Sequence, residues 1–263
     1  MRKTLGTWLS GMVLLLGLTA PAQAELQSRE VPYQDGDVKL AGYLVWDDAI
    51  TGKRPGVLVV HEWWGLNDYA KKRAEMLAKM GYIAFAADMY GVGHVTTHGD
   101  EAGAWMKQIT ANIDLWQHRA NLALDALKSS PETDPGKLAA IGYCFGGATV
   151  MQLAYSGADV KGVVSFHGSM PPATPEQAAR IHAKVLVEHG AADGFIPPER
   201  LTAFQKALED AKVDWRMTAH GGAVHGFTNP DAGKANMPGV AYDEKADRRS
   251  WQEMQEFFKE LFN

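Results

Sequence analysis

Cysteine is almost absent from this 263-residue chain; Cys144 is the only one. A single thiol cannot close an internal disulfide, so the fold does not rest on a disulfide framework. No Lys/Arg cluster long enough to track phosphates is present, and the formal charge is −5, which speaks against a nucleic-acid partner. Long hydrophobic runs are scarce: the longest near the N-terminus, Met12 to Leu18, falls well short of the roughly 20 apolar residues a spanning helix needs. Internal repeats and low-complexity tracts are also lacking, which excludes solenoids and linker-rich architectures.

What is present at the N-terminus is a targeting pattern. Arg2 and Lys3 precede the apolar run, and Ala22-Gln23-Ala24 supplies small residues at a cleavage point. We expect residues 1–24 to be a signal peptide and residues 25–263 to form a single α/β domain beginning at Glu25. Loss of Arg2 and Lys3 with the leader makes the mature chain two units more negative. The expected location is the periplasm, with no stable membrane association after cleavage.

The mature part alternates strand and helix signals. Val38 to Trp46 alternates as a half-exposed strand, whereas Gly56 to His61 and Tyr82 to Asp88 are continuous apolar runs of the kind buried on both faces. Between them, Asp68 to Met80 carries a helical pattern closed by Gly81. Further strands are expected at Leu138–Ile141, Val160–Phe166, Lys184–Glu188 and Trp215–Ala219, with helices at Ala148–Ala154, Pro198–Asp210 and Asp243–Phe262. This order predicts an α/β fold with a mostly parallel, doubly wound sheet flanked by helices. The segment from Gly91 to Lys128, polar at first and then helical, is the natural rim of a site.

Cys144 sits in Gly142-Tyr143-Cys144-Phe145-Gly146, a G-x-S-x-G nucleophile elbow with cysteine in the serine position, between a strand and a helix. On its own the pattern also fits a plain strand-to-helix turn around a buried cysteine. A thiol nucleophile needs a base and a carboxylate to orient it, and in this sheet type they follow in the order nucleophile, acid, histidine. Asp193, in the loop after the Lys184–Glu188 strand, and His225, in the glycine-rich loop after the last strand, supply that order. Asp193 alone could be a turn aspartate and His225 a loop histidine; His220 and His189 compete for the base.

Taken together, Val59-Val60-His61-Glu62-Trp63-Trp64-Gly65-Leu66-Asn67, Asp88-Met89-Tyr90-Gly91, the elbow with Gly147, the Asp193 loop and Ala223-Val224-His225-Gly226-Phe227 resemble the dienelactone hydrolase family of α/β-hydrolases. The resemblance implies a Cys144–His225–Asp193 triad, and gives Glu62 the part of a carboxylate that pairs with the resting thiol and helps ionise it. It also implies an oxyanion site made of the Trp63 and Phe145 backbone N–H groups, and an aromatic wall including Trp64 and Tyr90. No cofactor or metal is expected: His61-Glu62 lacks the second histidine of H-E-x-x-H, and His94 and His98 lack a third ligand.

One departure bears on the substrate. Members that act on dienelactone place arginines after the Asp-Leu-Tyr segment and after the His-x-Phe segment, and here those positions are Val92 and Asn229, expected in the substrate pocket. The resemblance therefore implies hydrolysis of a small ester or lactone other than dienelactone itself, with a thioesterase or a non-catalytic thiol-sensing or ligand-binding protein on the same fold as alternatives.

Overall fold

The computed structural model describes residues 25–263. The expected signal peptide, residues 1–24, lies outside the described residues. Eight strands form one sheet: β1 (Leu26–Asp35), β2 (Val38–Asp47), β3 (Arg54–Val60), β4 (Ile83–Ala87), β5 (Thr133–Tyr143), β6 (Gly162–Phe166), β7 (Lys184–Gly190) and β8 (Trp215–His220). Their spatial order is β1-β2-β4-β3-β5-β6-β7-β8. The β1–β2 hairpin joins antiparallel at one edge, and every pairing from β4 to β8 is parallel. This is the α/β fold with a mostly parallel sheet that the apolar runs predict.

The continuous runs are central because both of their faces are covered. β4 and β6 are buried at every residue. Helix α1 (Asp68–Ala78) is capped by the Asn67 side chain, and α7 (Glu244–Phe262) by that of Asp243, which bonds the Ala246 N–H. These two pack with the Val57, Val59, Ile141 and Leu186 side of the sheet. On the opposite side lie α3 (Ile113–Lys128), capped by Asn112, and α4 (Phe145–Tyr155). Every residue of α4 is buried, so it is a core helix rather than an amphipathic one. At about 1.5–3 kcal/mol for each large apolar side chain, its Val150, Met151 and Leu153 contribute much of the local stability.

Two elements differ from the sequence reading. β1 is an edge strand whose residues are half-buried or exposed, so it lacks the apolar run that marks the central strands. The helix α4 begins at Phe145, immediately after the thiol, not at Ala148. Its first turn contains Gly146 and Gly147, poor helix formers in isolation, and tertiary packing overrides that preference. A β-carbon on Gly146 would collide with the Val60 carbonyl, and one on Gly142 with the Gly146 carbonyl. These close approaches bring the end of β3 and the elbow together.

The rim segment folds as a loop followed by α2 (Gly99–Thr110) and α3. Pro198–Asp210 is helix α6, preceded by the short α5 at Pro175–Ala178. No helix among the described residues is long and apolar enough to cross a membrane.

Candidate active site

Parallel strands all end on the same side of the sheet, and loops leaving those ends converge where the strand order reverses, between β3 and β5. Cys144 leaves β5 there with φ 55° and ψ −112°, a left-handed backbone that a non-glycine residue adopts only when its surroundings enforce it. Its N–H is held by the Phe166 carbonyl at 3.0 Å and by His167 Nδ1 at 3.1 Å. The strained turn lifts the half-buried thiol away from the strand.

Asp193 and His225 come from the loops after β7 and β8. His225 Nδ1 and Asp193 Oδ2 are 2.8 Å apart, and the second carboxylate oxygen accepts the Phe195 N–H at 2.9 Å. The Asp193 side chain is fully buried, so both oxygens find partners that offset lost hydration. The His225 backbone is clamped as well: its N–H donates to Gly239 and its carbonyl accepts from Ala241. Its ring faces the Cys144 thiol. Burial opposes protonation of the imidazole, but the neighbouring Cys144 and Asp193 outweigh it and hold its pKa well above the usual histidine range.

His220 and His189, the competing bases, are elsewhere. His220 Nε2 lies 2.7 Å from Glu188 Oε2, and neither histidine lines the cavity above the thiol.

Glu62 follows β3 and is buried. Its Oε2 accepts a hydrogen bond from Asn229 Nδ2 at 2.6 Å. Burial pushes its pKa up to about 6 against the opposing pull of Asn229, His225 and Arg73. The resemblance implies a resting thiol–glutamate pair, whereas here Asn229 holds the carboxylate and His225 faces the thiol. Asn229 thus occupies the cavity wall with its amide engaged on Glu62.

The Trp63 and Phe145 N–H groups have no acceptor among the described residues. Phe145 opens α4, where uncompensated N–H groups and the helix dipole favour negative charge. The turn that carries Trp63 is fixed from beneath by buried His61, whose Nδ1 bonds the Glu62 carbonyl and whose Nε2 accepts the Met89 N–H at 3.2 Å. Burial keeps His61 neutral by lowering its pKa, which this donor–acceptor division requires.

These groups open into a cavity of about 610 Å³. Trp63, Trp64, Trp116, Phe145 and Phe195 give it an aromatic lining, and Glu62, Cys144, His225 and Asn229 are its polar side. The rim segment contributes Thr96, Thr97, Met106 and Thr110, and the 3₁₀ turn Ala232–Ala235 closes another wall. Two expected pocket residues stand outside. Val92 is 61% exposed: Gly91, at φ 129°, turns the chain outward, and the Val92 N–H binds Lys39 at the strand edge. Tyr90 is buried behind the cavity against His61 and Phe145.

The model of the dienelactone hydrolase family matches residues 40–262. The chain belongs to that family. A relative from Synechocystis sp. that carries the name carboxymethylenebutenolidase is 27% identical over 251 residues, covering 89% of this chain and 97% of the relative. One from Aquifex aeolicus with the same name is 27% identical, covering 87% and 96%. Among solved structures, a dienelactone hydrolase-like promiscuous phosphotriesterase from metagenomic libraries superposes with a TM-score of 0.89 at 43% identity, covering 92% of this chain and all of that one. This family member is therefore a hydrolase on the α/β-hydrolase fold.

The sequence reading missed several residues that line or support the site. Phe195 stands edge-on to His225, with ring centroids 5.2 Å apart. Trp116 stacks on Phe145 and donates its indole N–H to Thr149 at 2.8 Å. His167 follows the C-terminal end of a buried strand, and that position is the signal that could have found it.

Proposed function

We propose that the protein cleaves small neutral esters or lactones through an acyl-thiol intermediate on Cys144. This reading rests on the alignment of buried Asp193 behind His225, and of His225 with the elbow thiol, the last two lining the cavity. His225 takes the thiol proton, and sulfur attacks the carbonyl carbon. The carbonyl oxygen becomes an oxyanion facing the Trp63 and Phe145 N–H groups. The tetrahedral intermediate collapses, the C–O bond breaks, and His225 protonates the leaving alkoxide. Water then attacks the thioester with His225 as base, releasing the acid and restoring the thiol. Asp193 holds the imidazole throughout.

The charge of the cavity supports a neutral substrate. Lys234, at its rim, already faces Asp231 at 2.8 Å, and Glu62 adds a buried acidic group. Lys107 does not reach the wall. An anionic substrate group brought in without a paired cation faces a desolvation penalty of several kcal/mol, worth about tenfold in rate for each 1.4 kcal/mol. A matched pair of aryl esters, one neutral and one bearing a carboxylate on the acyl group, tests this. We expect kcat/KM to favour the neutral ester by about tenfold or more; a preference for the carboxylate would refute it.

A second reading follows from the metagenomic relative, which its description calls a promiscuous phosphotriesterase. Phosphotriesters are neutral and suit the same oxyanion donors, so a neutral aryl phosphotriester belongs in the same panel. We also propose export to the periplasm, supported by the leader pattern; the N-terminus of the exported protein should be Glu25.

A further inference from the structure

Behind the elbow, on the side away from the cavity, a buried histidine has both ring nitrogens engaged. His167 has no solvent exposure and itself takes a left-handed backbone, φ 40°, a conformation histidine and asparagine tolerate better than most residues. Its Nδ1 lies 3.1 Å from the Cys144 backbone nitrogen, and its Nε2 lies 2.7 Å from Thr228 Oγ1. A backbone N–H can only donate, so Nδ1 is the acceptor and the proton of the neutral ring sits on Nε2. The chain continues outward: Thr228 Oγ1 is 2.6 Å from the Tyr69 hydroxyl, which accepts from Arg73 Nε at 3.2 Å. Arg73 is anchored in turn on Asp247 at 2.6 Å. The His167 ring also packs edge-on to His225, centroids 5.3 Å apart.

We propose that His167 is a positioning residue for the reaction: as a neutral imidazole locked in the Nε2–H tautomer, it holds the strained Cys144 backbone and backs the ring of the base. This rests on the reading of Cys144 as the nucleophile. A second proton on Nδ1 would point at the Cys144 N–H and break this half of its anchor, leaving only the Phe166 carbonyl. The titratable or charged groups around the ring are Cys144 and Tyr143 from the elbow, His225 from the last loop, and Tyr69 and Arg73 from α1. Burial first, and then the His225 and Arg73 charges, keep its pKa well below the ordinary histidine range. The neutral tautomer is therefore retained while His225 cycles between its two protonation states.

Two amide substitutions, each reaching the position of one ring nitrogen, separate the contacts. Asn places Oδ1 where Nδ1 was and tolerates the left-handed backbone, so H167N keeps the acceptor for Cys144; H167Q reaches the Nε2 position and loses it. We expect H167Q to lower kcat about tenfold or more with KM within about twofold, and to shift the midpoint of the pH dependence of Cys144 alkylation by iodoacetamide. H167N should recover most of kcat and the wild-type midpoint. A role in stability alone would lower the melting temperature without moving that midpoint. Wild-type kcat and an unmoved midpoint in H167Q would overturn the proposal. If H167Q does not fold, ¹⁵N-histidine NMR of the wild-type protein decides, with the resonance assigned by its absence in H167N. The expected result is an unprotonated Nδ1 and a protonated Nε2 from about pH 5.5 to 8, through the range where free histidine titrates; an Nδ1–H tautomer or ordinary titration would overturn it. Failure of the nucleophile reading would look different: C144A would remain active while the His167 tautomer stayed as stated.

Discussion

Two histidine–carboxylate pairs stand at the same end of the sheet, and only one faces the elbow thiol. Glu188 and His220 lie on β7 and β8 themselves, 2.7 Å apart; Asp193 and His225 lie in the loops that follow those strands, 2.8 Å apart. The strands bury their pair: Glu188 has one oxygen with no partner, and burial pushes its pKa up to about 7. The loops instead carry theirs to the cavity, where both Asp193 oxygens are satisfied and His225 meets the thiol. A short histidine–carboxylate contact is thus not in itself a catalytic feature. Its chemistry depends on what lies beyond the second ring nitrogen and on which element delivers it.

Removing the thiol should have the largest effect and would separate the pairs most sharply. We expect C144A to fold and to lose ester hydrolysis by about 10⁴-fold or more. Asparagine at position 193 comes next: D193N disturbs the His225 tautomer and should cost about 10²–10⁴-fold in kcat. The matching change at the other pair, E188Q, should leave kcat within about twofold. Steady-state kinetics on all three decide: a greater loss in E188Q than in D193N would refute the distinction between the two pairs.

Glu62 gives a smaller, pH-dependent effect. With its pKa raised to about 6, the carboxyl is protonated below that pH and ionised above it. If ionised Glu62 assists thiol ionisation, single-turnover acylation should fall as pH drops through about 6, and E62Q should be slower above it and lack that limb. Equal acylation rates for wild type and E62Q would assign deprotonation to His225 alone.

The smallest expected effect lies in stability at Glu188. Its folded pKa, about 7, is raised above the ordinary glutamate value of 4.5, so its protonated form contributes stability that is fully present below about 4.5 and lost as pH rises through about 7. Glutamine mimics the protonated carboxyl without titrating. The melting temperature of wild type relative to E188Q should therefore fall between those two pH values; a flat difference would mean that Glu188 is held ionised by His220.

Legibility in the sequence followed burial. β4, β6 and β7 are legible because both faces are covered, and α7 because its polar and apolar faces repeat with helical period. β1 is not, since an edge strand half in water carries Arg29, Glu30 and Gln34 where a central strand would be apolar. In the site, Cys144, Asp193 and His225 could be found because each follows a strand end in a fixed chain order. Val92 could not be placed, because its position depends on the backbone angle of the preceding glycine. Asn229 was read by the arginine it replaces, while its bond to Glu62 spans 167 residues and has no local signature.

Cys144 should become covalently acylated during turnover. Intact-mass spectrometry of wild-type protein quenched during hydrolysis of a slow aryl ester, with peptide mapping, tests it directly. The expected result is a mass increase equal to the acyl group, located on Cys144, that decays as acid is released and is absent in C144A. Turnover with no adduct at early times, or an adduct on another residue with C144A still active, would contradict it.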